Sequence, residues 1–109
     1  MQSPNSVQTF LDNLKIKTKP QVSNPRLQSA IDELFRSNAT IIGGTAGAII
    51  YERITGNLVG GKSHNEKGRQ RLIQLQRIIQ QEPLNPDDST IATNLLDDLQ
   101  SALNLNIAP

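Results

Sequence analysis

At 109 residues the chain has room for one domain with one modest core, too little for the doubly wound sheet of a nucleotide hydrolase. No cysteine and a single histidine exclude a disulfide framework and the usual zinc clusters, and a formal charge of +1 gives no overall pull on an anion. The apolar runs fall far short of a membrane span and the start lacks the basic-then-apolar order of a Sec signal, so a soluble domain is expected.

Phe10, Phe35 and Tyr51 are the only aromatics, so the core must be built from leucine, isoleucine and alanine, which predicts a mainly α fold. A first helix is expected over about Pro4 to Leu14, with Val7, Phe10, Leu11 and Leu14 on one face. After the loop "KIKTKPQVS", Asn24 can cap and Pro25 can open a second helix whose stripe is Leu27, Ala30, Ile31, Leu34 and Phe35, ending near Asn38. In "TAGAIIYERITG", Ala46, Ile49, Ile50 and Ile54 match a helical face, Thr45 is placed to cap its start, and Gly56 sits where it would stop. A short β-hairpin near 48–60, turning at "TGN", is the alternative. "SHNE", Ser63 to Glu66, has capping-box spacing, so a helix is expected from Ser63. Its stripe of Leu72, Leu75 and Ile79 runs back to Gly68 and His64, placing His64 in the first turn and facing the protein. After "EPLNPDD" a last helix from about Pro86 should bury Ile91, Leu95, Leu96, Leu99, Ala102 and Leu103.

All seven glycines fall between Gly43 and Gly68. The picture is therefore a single domain, 1–109, forming a small helical bundle with a glycine-rich central insert. Its N-terminal helices occupy 1–40, the glycine-rich active segment and a basic helix 41–82, and an acidic helix and tail 83–109. Charge follows the same division: residues 41–81 carry six basic side chains against two acidic, and from Glu82 onward there are five acids and no base. The middle should attract an anion and the tail repel it.

"GNLVGGKS", residues 56–63, fits the phosphate-loop pattern G-x-x-x-x-G-K-[ST], which cradles phosphate when it joins a buried strand to a helix. The preceding "YERIT" is too polar for such a strand, and no apolar run ends in an aspartate for magnesium. Nucleotide binding therefore ranks third among the readings.

Within about twenty positions stand Tyr51, Glu52, Arg53, Lys62, Ser63, His64, Lys67, Arg69 and Arg71. Metal-free RNA cleavage needs a base for the 2′-hydroxyl, an acid for the leaving oxygen, and cations or amides for the charge on the phosphorane. The expected catalytic set is His64 and Glu52 for proton transfer, Tyr51 as an assistant, and Lys62. Gly60, Gly61 and Lys62 would seat the scissile phosphate, while Arg53, Lys67, Arg69 and Arg71 would grip the backbone. No metal ligand set and no cofactor are expected. Ser63 reads as a cap, since nothing completes a triad around it. The arginines also fit a solvated helix face, and Tyr51 also fits core packing.

Residues 43–72, "GGTAGAIIYERITGNLVGGKSHNEKGRQRL", resemble the C-terminal toxin regions of filamentous-haemagglutinin-type, contact-dependent growth inhibition proteins and related polymorphic toxins. The matching positions are the double glycine Gly43–Gly44, Thr45, Ala46, Ala48, Ile49, the Tyr51–Glu52 pair before Thr55–Gly56, Val59-Gly60-Gly61-Lys62, and His64 followed by Lys67–Gly68. That resemblance implies a nuclease, often one acting on transfer RNA, neutralised by a dedicated immunity protein; a basic site would suit an acidic surface on that partner. Such a toxin would act in the cytoplasm of the target cell. The V-E-N-N-type boundary that often precedes delivered regions is not in the chain, so a terminal fragment of a larger effector or a free-standing relative is expected. The competing expectation from the residues alone is a non-enzymatic helical module that binds RNA or protein through the same basic helix.

Overall fold

Two Asn-Pro pairs start two of the helices by the same local device. Asn24 Oδ1 accepts the Leu27 amide at 3.0 Å and Asn85 Oδ1 accepts the Asp88 amide at 2.7 Å, while the proline that follows each needs no amide partner in the first turn. The computed structural model describes residues 5–35, 42–58 and 64–105. These form α1 (Asn5–Asp12), α2 (Pro25–Leu34), α3 (Gly44–Thr55), α4 (Asn65–Gln81) and α5 (Pro86–Leu103). Among the described residues there is no strand, so the mainly α expectation holds and the hairpin alternative is replaced by helix as far as Thr55. Pro4 and Asn38, the expected ends of the first two helices, lie outside the described residues.

The first part of the glycine-rich segment is not an insert on the bundle but its centre. Every residue from Gly44 to Ile50 is buried, and α3 packs against all four other helices. A helix surrounded in this way has little use for an amphipathic stripe. Its small residues, Gly44, Ala46, Gly47 and Ala48, let the neighbours come close. Its start is capped by Gly43 rather than by Thr45 as the sequence suggested. Gly43 and Gly44 take φ of +84° and +58°, and a β-carbon on Gly44 would collide with the Leu34 carbonyl oxygen. Only glycine accommodates both demands. Thr45 sits inside the helix, its hydroxyl donating to that same Leu34 carbonyl at 3.3 Å, which ties α3 to the end of α2.

Around α3 the predicted stripes face inward. Leu27, Ala30, Ile31, Leu34 and Phe35 of the second stripe are all buried, as are Leu11, Leu14, Leu75, Leu95, Leu99 and Ala102 of the others; Leu72, Ile79, Ile91, Leu96 and Leu103, also expected inside, are half-buried against that core, and Ile78 is buried where Ile79 was expected. Truncating a core leucine or isoleucine of this kind to alanine costs roughly 2–5 kcal/mol. Two buried carboxylates of α5 fix the long connection between α1 and α2. Asp98 accepts the Lys15 and Ile16 amides at 2.9 and 2.8 Å, and Asp88 accepts those of Ser23 and Asn24 at 3.0 and 2.9 Å. No helix among the described residues is long and apolar enough to cross a membrane.

Candidate functional site at the α3–α4 junction

Glu52 lies in the last turn of α3, three residues beyond the fully buried Ile49, so it continues the face that packs into the protein. Its side chain is 6% exposed and that of His64 is 21% exposed. His64 is the N-cap of α4, one position before the helix proper, and not a first-turn residue as predicted. The expected cap, Ser63, lies outside the described residues. His64 makes no side-chain capping bond of its own. Instead, Glu52 Oε1 accepts the His64 backbone amide at 2.9 Å, so a carboxylate from α3 takes up an otherwise orphaned amide at the start of α4.

The same carboxylate holds the ring. Glu52 Oε2 lies 2.6 Å from His64 Nδ1, a charge-assisted distance. With the carboxylate already accepting the amide, the Nδ1 proton is assigned to this contact, which leaves Nε2 as the nitrogen available to a ligand. Two bonds to one buried group fix both the position and the tilt of the imidazole. The arrangement can take up a proton at Nε2 while the carboxylate offsets the charge that appears on the ring.

The other predicted site residues separate into three groups. Gly60, Gly61 and Lys62 lie outside the described residues. Lys67 stands exposed one turn beyond His64 on nearly the same side of α4. Arg71 shares that side but is engaged elsewhere, with Gln74 at 2.8 Å and Glu33 of α2 at 3.5 Å. The remaining arginines depart from expectation. Arg69 lies about 140° around α4 from His64, since each residue turns the helix by about 100°, so it points away from the pair. Arg53 follows Glu52 but turns toward the end of α5, its Nη1 donating to the Leu105 carbonyl at 3.1 Å. Tyr51 is half-buried on α3, and its carbonyl accepts the Thr55 hydroxyl at 2.8 Å. The sequence did not single out Asn65. Among the described residues, its Oδ1 and Arg53 Nε are buried polar atoms without a partner, and both belong to residues that directly follow the paired Glu52 and His64. Each such atom costs on the order of 1–3 kcal/mol, so unmet polar demand concentrates at this end of the bundle.

The phosphate-loop reading loses its context here. The segment before "GNLVGGKS" is the helix α3, ending at a left-handed Gly56, where the nucleotide cradle needs a strand. Among the described residues no three histidine, cysteine, aspartate or glutamate side chains converge as a metal-binding group. Compared with protein-family models, curated proteins and solved structures, the chain matches none.

Proposed function

We propose that the chain is a metal-independent endoribonuclease of the toxin kind, with His64 as the general base. Nε2 of His64 takes the proton of a ribose 2′-hydroxyl. The 2′-oxygen bonds to phosphorus, the P–O5′ bond breaks, and the products are a 2′,3′-cyclic phosphate and a 5′-hydroxyl. Glu52 holds the ring through Nδ1 and stabilises the imidazolium. This narrows its role to orienting the base instead of carrying protons itself. Gly60, Gly61 and Lys62, which stand four to two residues before the histidine in the chain, seat the phosphate, and the Lys62 ammonium gives the departing 5′-oxygen its proton. Lys67 is the basic side chain on the His64 side of α4 that contributes to backbone binding, and transfer RNA is the substrate class the sequence resemblance favours. An immunity protein with an acidic surface would close the same end.

The observation that carries this reading is the buried carboxylate bonded to Nδ1 of a ring that remains partly exposed. Its test is incubation of purified protein with total cellular RNA, with and without chelator, beside the His64→Ala protein. Chelator-resistant cleavage that disappears in the variant supports the proposal; equal cleavage by both proteins removes His64 from the mechanism.

A second reading has its own observation. Glu52 also accepts the His64 backbone amide, so the pair could serve only to latch α4 to α3 in a module that binds RNA or protein without turnover. Binding of RNA with no change in fragment length over long incubation is the result that selects it.

A further inference from the structure

We infer that Gly68 is a positioning residue, which sets the separation at which His64 meets Glu52 by packing bare backbone against Ile49. Its consequence for turnover rests on the catalytic reading above; its geometry does not. On α3, Ile49 and Glu52 are three residues apart; on α4, His64 and Gly68 are four apart. Each pair is one turn on a common face. The contacts are therefore adjacent rungs between helices that run in opposite directions, Ile49 against Gly68 and then Glu52 against His64.

The lower rung has no room for a side chain. A β-carbon on Gly68 would collide with Cδ1 of Ile49, which is 0% exposed, and would lie 3.5 Å from Leu103 Cδ2 of α5. Cδ1 is the free end of the Ile49 side chain, but that residue is 0% exposed, so turning the methyl aside means displacing its core neighbours, whereas the first turn of α4 can move outward. The Gly68 amide donates to the His64 carbonyl at 2.8 Å, so the histidine's own peptide moves with it. The contact that must then lengthen is Nδ1 to Oε2, which at 2.6 Å has no slack. Intrinsic preference works in the other direction, because alanine favours helix over glycine. The sign of the effect therefore separates packing from propensity.

The experiment is a double-substitution cycle read by the low-field imidazole Nδ1–H resonance of His64 in the intact chain, with RNA cleavage measured alongside. Gly68→Ala should shift or abolish that resonance and lower turnover by about a hundredfold, the scale on which a misplacement near 1 Å acts. Ile49→Val removes the methyl group that collides, so Gly68→Ala/Ile49→Val should restore the resonance and bring turnover back to within about threefold. Ile31→Val, an equal deletion in the core of α2, should leave the resonance in place. If Gly68→Ala alone does not fold, the cycle moves to the Ile49→Val background, where Gly68→Ala must keep the resonance and the larger Gly68→Val must remove it. An unchanged resonance in Gly68→Ala, or no restoration by Ile49→Val in a folded protein, overturns the inference. A resonance that behaves as expected in a protein with no ribonuclease activity leaves the positioning role standing and overturns the catalytic reading alone.

Discussion

Two regions of this bundle bury carboxylates, and they use them differently. Along α5, Asp88 and Asp98 are 3% and 5% exposed and accept main-chain amides of the α1–α2 connection. At the end of α3, Glu52, also buried at 8% exposure, includes the His64 amide and the His64 imidazole nitrogen among its partners. A carboxylate that accepts amides holds chain in place, because an amide has no second useful state. A carboxylate bonded to Nδ1 of a partly exposed histidine also sets which nitrogen is presented outward and stabilises the ring when it gains a proton. The comparison makes α5 the clamp and the α3–α4 junction the candidate site.

The largest effect that would break this comparison is on turnover. His64→Ala should lower RNA cleavage by about 10²–10⁴-fold per folded molecule, while costing about 1–3 kcal/mol of stability because Oε2 of the buried Glu52 loses its ring partner. Loss of fold together with activity would make His64 a clamp like Asp98. The converse substitution, Asp98→Ala, leaves the Lys15 and Ile16 amides without their acceptor. It should destabilise the protein by roughly 2–4 kcal/mol in urea unfolding, while the folded fraction keeps its turnover per molecule. A catalytic loss in Asp98→Ala beyond the loss of folded protein would dissolve the distinction between the two regions.

Glu52→Gln sharpens it from inside the site. The side-chain oxygen can still accept the His64 backbone amide, but the NH2 group then donates to Nδ1, so the ring takes the tautomer that carries its proton on Nε2. Stability should change by less than about 1 kcal/mol, and turnover should fall by about 100-fold or more, because Nε2 already holds the proton it is meant to take up. Wild-type turnover in Glu52→Gln would assign the pair to latching.

Much of the fold was legible in the sequence because its signals are local. Asn24–Pro25 and Asn85–Pro86 announce helix starts through chemistry within four residues, and the stripes of α2 and α5 follow from periodicity. The role of α3 was harder to read. A helix buried on every side has no polar face to reveal its period, and glycines that serve close packing look the same in a string as glycines that serve a loop. The site was half legible for the same reason. His64 and Glu52 stood out by chemical type, but their contact depends on two helices running in opposite directions with Ile49 against Gly68, which no spacing in the chain encodes. Arg53 and Arg69 illustrate the opposite failure. They are near His64 in number, yet one is directed to the Leu105 carbonyl and the other lies on the far side of α4. Asp88 and Asp98 gave no sequence signal at all, because an acid on a helix reads as solvated surface until tertiary structure supplies the amides it caps.

The smallest effect expected concerns a third kind of carboxylate, one that supports a helix cap from outside the core. Glu82, at the end of α4, accepts from the Asn24 side-chain amide at 3.0 Å, and Asn24 in turn caps α2. Its pKa lies below the ordinary glutamate value of 4.5, first because of that Asn24 bond and further because of Arg26. The folded protein therefore favours the ionised form more than the unfolded chain does. The stability this contributes is present above the ordinary glutamate value and is lost as pH falls from there through the lowered native value. Glu82→Gln keeps an acceptor for Asn24 but cannot titrate. The variant's urea midpoint should fall less steeply than the parent's over that acidic window, with nearly the same midpoint at neutral pH. Identical slopes would mean that Glu82 is as indifferent to folding as a free surface carboxylate, and that the clamp along α5 holds the start of α2 without help from α4.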